Sequence, residues 1–413
     1  MAYAALGRMY GDIGESNLSA ESTSKAYQLR DRASDQEKFF ISASYDMQVT
    51  GNLTKAQQPC ELWVQAYPRE MAPHGLLSGL IYPPLGKYEQ SVEEAKTSIG
   101  LDPDFAFGYI NLASSYVALG RTDQAEKTLQ SAFERKLQNP LFLIQLYKIA
   151  FLKGDEAGME RESAQAHGKP GLEDSVSNFE SLVLAYSGHL EEARKMSRQA
   201  TDLARKTEQR ETAALYETDA AMRESLFGNA STARPIAMAA LGLSKSRAVE
   251  YKVAFALALS GDSSRSESFT DDLSRRFPDD TMVACTYTPT LRALLALNHS
   301  QPLKAIQLLQ TALPYELGAG NLYPAYIRGE SYLSTHQGRE AVLEFQKILD
   351  HRGIVVTDPI GALAHLQLGR AYVLEGDNGK AHAAYKDFLT LWKDADPDIP
   401  ILKQAKTEYE KLQ

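Results

Sequence analysis

The chain has 413 residues, 44% of them hydrophobic and 23% charged, with a formal net charge of −9 at pH 7. That length exceeds what one hydrophobic core normally organises, so a repeat array or several domains is expected, and the ordinary balance of apolar and charged residues excludes global disorder. The acidic balance excludes a nucleic-acid binder, which needs a basic face to neutralise phosphates.

Read from the N-terminus, pairs of helical stretches are separated by a glycine, at Gly14, Gly51, Gly86, Gly120, Gly154, Gly188, Gly228, Gly261, Gly338 and Gly376. From Gly86 to Gly188 the interval is 34 residues three times in succession; near Ser300 the marker is missing. Met1 falls inside a first helix, which leaves that helix short and uncapped and raises the expectation of a fragment or of a start placed late. Before the turn stands a small residue with a tyrosine three positions on: Gly7 and Tyr10, Gly79 and Tyr82, Ala113 and Tyr116, Gly329 and Tyr332, Gly369 and Tyr372. After the turn, Ala56, Cys60 and Trp63, then Ala125, Leu129 and Ala132, then Ala381, Tyr385 and Phe388 repeat a four-then-three spacing. That spacing puts each set on one helical face, and the small residues let two helices approach closely.

Helix stops agree with the pairing. Tyr67-Pro68, Leu101-Asp102-Pro103 and Phe277-Pro278 fall where a second helix should end, because proline cannot continue a helix and biases its predecessor away from α geometry. Glycine in the intra-hairpin turn permits the positive φ that closes a helix end. Pro83-Pro84 sits at the end of a first helix, so that helix should finish early or kink, with Gly79 relieving the clash one turn back.

These residues resemble the tetratricopeptide (TPR) repeat. The resemblance implies an all-α fold, an α-α superhelix of about eleven helical hairpins plus a C-terminal capping helix near residues 400–412. It runs through residues 1–413 as a single continuous array, best matched in 37–134 and 322–392 and looser in 136–172 and 262–300. One hairpin buries too little apolar surface to offset its own ordering, so stability must be shared between neighbours along an elongated coil.

Reactive constellations are missing from the sequence. There is no Gly-rich loop leading to Lys-Ser/Thr, no His-Glu-x-x-His pair, no Gly-x-Ser-x-Gly elbow and no kinase signature set. Gly168-Lys169-Pro170-Gly171 reads as a turn and His365 as a packing or solvent residue. Asp394, Asp396 and Asp398 alternate like the start of a calcium loop, but Pro397 interrupts them, so a solvated connector is expected. Cys60 and Cys285, 225 positions apart, read as small buried apolar residues. No catalytic residue, cofactor or metal is therefore expected. No stretch approaches the eighteen or so apolar residues of a membrane span, and no basic leader precedes an apolar core at the N-terminus. A chain expressed alone is expected in the cytoplasm, without membrane contact of its own.

What remains is the inner wall. In TPR arrays the first helices line the concave face and hold a protein or peptide. The residues expected to point there are Tyr45, Leu80, Phe107, Ile110, Asn111, Ser114, Gln145, Lys148, Tyr323, Tyr326 and Arg370. Asn111 matches one position of the clamp with which some TPR domains grip a C-terminal carboxylate, but the lysine and arginine partners of that clamp are absent from neighbouring repeats. The uncapped first hairpin leaves self-association open as a further mode.

Three longer stretches extend the resemblance: Tyr27-Gln28-Leu29-Arg30-Asp31-Arg32 with Glu37-Lys38-Phe39-Phe40-Ile41, the run from Glu344 to Val355, and the run from Trp392 to Lys406. Together they are similar to the C-terminal TPR region of acidobacterial-type bacterial serine/threonine protein kinases. In that family a cytoplasmic kinase domain precedes a membrane helix and the array. The resemblance implies the docking or sensory arm of a signalling protein, extracytoplasmic if the arm is membrane-anchored. The alternative is that the chain is the non-catalytic part of a kinase whose ATP-dependent domain lies elsewhere.

Overall fold

The computed structural model describes residues 1–318 and 320–412, and every regular element among them is helical. The residues fall into two compact units. The first comprises Met1–Gln165 with Phe277–Ala284 and Leu317–Ala319, the second Ala166–Arg276 with Cys285–Glu316 and Gly320–Gln413. In the first unit α1 (Ala2–Asp12) pairs with α2 (Ser16–Gln28), and α3 (Asp35–Tyr45) with α4 (Leu53–Ala66). There follow α5 (Met71–Leu76) with α6 (Tyr88–Leu101), α7 (Ala106–Ala118) with α8 (Thr122–Glu134), and α9 (Leu141–Lys153) with α10 (Glu156–Ala166).

The second unit begins with α11 (Glu173–Tyr186) and α12 (Leu190–Lys206), α13 (Arg210–Leu226) and α14 (Ala230–Ala240), and α15 (Arg247–Leu259) and α16 (Ser263–Arg276). It continues with α17 (Thr288–Asn298) and α18 (Pro302–Leu308), α19 (Tyr323–Ser334) and α20 (Gly338–Asp350), and the one-turn α21 (Arg352–Val355). It ends with α22 (Pro359–Leu374), α23 (Asn378–Leu391) and α24 (Pro400–Glu410). Among the described residues that is eleven hairpins and a final helix, the number the repeat spacing implies.

The turn chemistry follows the glycines, with one correction. Gly120 shows the rule at φ 72°, in the left-handed region that costs an L side chain energy. Gly338 instead opens α20, and His336 takes the left-handed position at φ 57°. Ser300 does the same at φ 58° where the marker is missing. Gly338 is small for a different reason: a Cβ there would lie 2.9 Å from the Ala371 carbonyl oxygen.

The packing triplets are buried as their spacing requires, including Ala56, Cys60 and Trp63 on α4 and Ala381, Tyr385 and Phe388 on α23. Burial pushes the Cys60 thiol up to about 12, so it is an inert core residue. Cys285 departs from expectation in being only half-buried. The small residues before the turns face the partner helix: a Cβ on Gly329 would come 2.6 Å from the Phe345 ring, and one on Gly369 2.7 Å from Tyr385. The helices α4, α6 and α16 stop before Pro68, Pro103 and Pro278. The helix before Pro83-Pro84 does finish early. It ends at Leu76 and widens into a π turn over Leu77–Ile81, where the Tyr82 N–H donates to the Leu77 carbonyl at 2.9 Å.

The second unit is not the elongated coil expected from the repeats. Its last hairpin returns to its first, joining the ends of one superhelical turn. The Trp392 indole N–H donates to the Tyr186 carbonyl at 2.9 Å, and its ring meets Phe227 edge-on at 5.0 Å. The Asp396 N–H donates to Gly188 O at 3.0 Å while its carboxylate accepts from the Glu191 N–H at 2.7 Å. The expected solvated connector is thus a docking strap that caps the start of α12. Helix α24 is seated rather than a free cap: Leu402 and Ala405 are buried, and the Ile401 N–H reaches Phe227 O at 3.3 Å.

Candidate docking groove

In the first unit α1, α3, α5 and α7 frame a groove of about 300 Å³. Its floor is made by Gly75 on α5 and Gly79 in the π turn, four residues apart. Phe105 and Phe107 form one wall at the start of α7, their ring centroids 6.0 Å apart. Phe40 from α3 and Met71, Leu76 and Leu80 complete the apolar lining, and the paired Arg8 and Asp12 of α1 stand at the rim. Burial lowers the Arg8 guanidinium pKa, but a paired arginine stays charged at any ordinary pH.

The floor explains why Gly79 is glycine, and the reason differs from the expected relief of the proline clash. A Cβ there would fall 2.7 Å from the Asn111 amide nitrogen. That nitrogen donates to Ser78 Oγ at 3.1 Å and more weakly to Gly75 O at 3.4 Å, bridging α7 to the turn before it. Asn111 is therefore already tied to its own scaffold, an arrangement unlike a free clamp residue awaiting a carboxylate. Gly75 is close-packed as well, since a Cβ would approach the Phe105 ring at 3.2 Å.

Of the residues expected on the inner wall, the groove collects three: Leu80, Phe107 and Asn111. Phe107 is the most open of them at 40% exposure. Ser114 lies half-buried further along α7, while Ile110 and Gln145 are buried. Lys148, on α9, is hemmed in by protein, and burial lowers its ammonium to about 8. Tyr45 stacks on Tyr27 at 3.9 Å.

The remaining three belong to the second unit and are engaged internally. The Tyr323 hydroxyl donates to Asp358, with oxygens at 3.0 and 3.1 Å, and the Tyr326 hydroxyl accepts from Gln367 Nε2 at 3.1 Å. Arg370 makes a two-pronged pair with Glu408, both contacts at 2.9 Å. Sequence reasoning missed Phe40, Met71, Phe105 and the Arg8–Asp12 pair. Only the Gly-x-x-x-Gly spacing of Gly75 and Gly79 could have signalled an open floor.

Among the described residues no helix is long and apolar enough to cross a membrane. Residues 108–139, most of the α7–α8 hairpin, match the family model described as tetratricopeptide repeat. No curated protein matches the chain. Among solved structures it aligns with the TPR domain of P58(IPK) at 14% identity, covering 92% of this chain and 98% of that one with a TM-score of 0.27. It aligns with yeast Tom70 at 14% identity over 94% and 96% of the two chains (TM-score 0.30). For the APC/C hetero-tetramer Cut9-Hcn1 the identity is 11% over 98% and 74% (TM-score 0.48). The order of hairpins in the molecule itself, carrying one TPR match at α7–α8, defines the fold as an α-solenoid of the TPR type.

Proposed function

We propose that the chain is a non-catalytic protein-interaction scaffold whose first unit holds an apolar segment of a partner peptide in the α1–α3–α5–α7 groove. The observation that carries this reading is a solvent-reachable apolar trough with a glycine floor and an exposed phenylalanine wall. A groove of that size takes one or two apolar side chains of a peptide. Peptides selected on the full chain from a random library should carry an apolar anchor. Leu80→Asp and Phe107→Asp should each weaken them at least ten-fold without lowering the melting temperature. Peptides that bind both variants as well as the parent would remove the groove from the proposal. Phosphoryl transfer from ATP by the purified chain would overturn the non-catalytic reading.

The finer role, the docking arm of a bacterial signalling protein, rests on the kinase-associated stretches at Tyr27–Ile41, Glu344–Val355 and Trp392–Lys406. An open frame upstream that joins a kinase domain to this array supports it; a stop codon directly before Met1 argues for a free-standing scaffold. Self-association is a second reading. Helix α1 leaves Tyr3, Leu6, Met9 and Ile13 between 39% and 64% exposed, an apolar face that a second copy could cover. Light scattering across a concentration series reads this directly, and a constant monomer mass ends it.

A further inference from the structure

Within the second unit the first helices α11, α13, α15, α17, α19 and α22 form the inner side of the joined turn, and their polar side chains converge. Asn178 on α11 donates to Asp219 on α13 at 3.2 Å, and Asp219 pairs with Lys252 on α15. Tyr216 on α13 donates to Asp174 on α11 at 2.9 Å. Asp358, which caps α22, accepts from Tyr323 and from the Asn321 amide at 3.1 Å. Between them Tyr251 lies flat on Tyr287, centroids 3.9 Å apart and planes 7° from parallel. Lys252, paired with Asp219, also lies within electrostatic range of Asp358.

Two further observations point to a missing partner. Tyr251 is 6% exposed and Asn178 7%, yet the Tyr251 hydroxyl and the Asn178 amide oxygen have no hydrogen-bond partner among the described residues. Leaving such groups unpaired costs about 1–3 kcal/mol each. Tyr251 sits within electrostatic range of Asp358 and Tyr323, so its hydroxyl belongs to the same cluster. The cluster is also reachable, for the Lys252 and Asp219 side chains keep 30% and 19% of their surface in solvent.

We propose that this inner wall binds a primary ammonium group, seated between Asp358 and Asp219 and over the Tyr251–Tyr287 pair. An ammonium supplies what the cluster lacks. It brings positive charge to Asp358 beside the Asp219–Lys252 pair, a donor for the Asn178 oxygen, and a cation against aromatic rings. Burial, reinforced by nearby Asp219, raises the Asp358 carboxyl to about 6 against the hydrogen bonds from the Ile360 N–H and Tyr323. Burial also works to lower the Lys252 ammonium, and Asp219 overcomes it and leaves it raised. A bound cation therefore drives a proton off Asp358, and binding strengthens as pH rises through about 6.

The ammonium can come from a free polyamine or from a lysine side chain of a peptide, and two probes separate these. Spermidine and the capped peptide acetyl-Gly-Lys-Gly-amide are titrated calorimetrically into the full chain at low salt, at pH 5 and pH 7.5. The expected result is saturable binding of at least one probe, tighter at pH 7.5. Binding of the peptide alone assigns a lysine side chain as the ligand, and binding of both assigns the ammonium itself. Asp358→Asn keeps the helix cap and should weaken binding at least ten-fold. Lys252→Met removes the internal competitor and should tighten it several-fold, a change opposite in sign to what structural damage produces. No binding of either probe by the folded chain, or weaker binding in Lys252→Met, overturns the proposal. The groove variants at Leu80 and Phe107 should leave it unchanged, so the two sites fail or stand separately.

Discussion

The two units build the same hairpin and use its inner side differently. In the first, the floor between α5 and α7 is glycine and the walls are aromatic, so the inner side is open and apolar. In the second, the first helices carry two bonded polar pairs, Asp219 with Lys252 and Tyr323 with Asp358 at the cap of α22, each reaching from one hairpin to the next. The lesson is that the repeat fixes backbone spacing through its small residues and aromatic plugs, while the inner positions are left free of that constraint. Those positions can be specialised without disturbing the stack.

The sharpest way to break the comparison is at Trp392, 1% exposed and the keystone of the joined turn. Trp392→Ala should cost about 3–5 kcal/mol. Because the other tryptophan, Trp63, lies in the first unit, its fluorescence in a urea titration reports whether that unit unfolds independently. The expectation is a destabilised second transition by circular dichroism and an unmoved Trp63 transition.

Next in size is the hairpin spacing itself. Gly329→Ala forces a methyl against Phe345 and should cost about 1–3 kcal/mol in urea. Gly120→Ala meets open space but keeps φ 72°, and should cost about 1 kcal/mol.

The pH response of the units should run in opposite directions. Lys148 has its folded pKa lowered to about 8, so the unfolded chain binds more protons between there and the usual lysine value. The first unit should gain about 1–2 kcal/mol as pH rises through that window, and Lys148→Met should abolish the gain. In the second unit burial raises Asp358 to about 6, so the folded state holds its proton while the unfolded state has lost it. Stability there should fall as pH rises from about 4 to 6, and Asp358→Asn should flatten the slope. In chemical denaturation across pH, a first unit that loses stability in its window, or a second unit that gains it in its own, would contradict the corresponding assignment.

The smallest effect is expected at the groove wall. Phe107, 40% exposed, should tolerate Phe107→Ser within about 0.5 kcal/mol while peptide binding is lost. A larger cost would mean that the ring is packing and not display.

The hairpins were legible because their requirements are local. A turn needs a left-handed residue, and a close crossing needs a missing side chain, so Gly120 and Gly369 speak for themselves. Where another residue tolerates the left-handed turn, as His336 and Ser300 do, the marker misleads or vanishes. The π turn at Leu77–Ile81 has only the two prolines as its local sign, and the close approach of Asn111 to Gly79 lies outside any local pattern. The joined turn was illegible for a plainer reason: Trp392 and Tyr186 are 206 positions apart, and nothing in either local pattern names the other. The groove was half legible. Leu80, Phe107 and Asn111 follow from helix phase, whereas Phe40 and Arg8 reach it from α3 and α1, more than 30 positions before the groove's floor.

The strap from Trp392 to Ile401 also bears on how this molecule can change over generations. An open stack can gain or lose a hairpin by duplication or deletion, since each new unit meets the same surface as the old. A turn whose two ends are bonded has no such freedom. One hairpin more or fewer would carry Trp392 past Tyr186 and Asp396 past Gly188, so the number six is locked into the second unit by a handful of bonds at its seam.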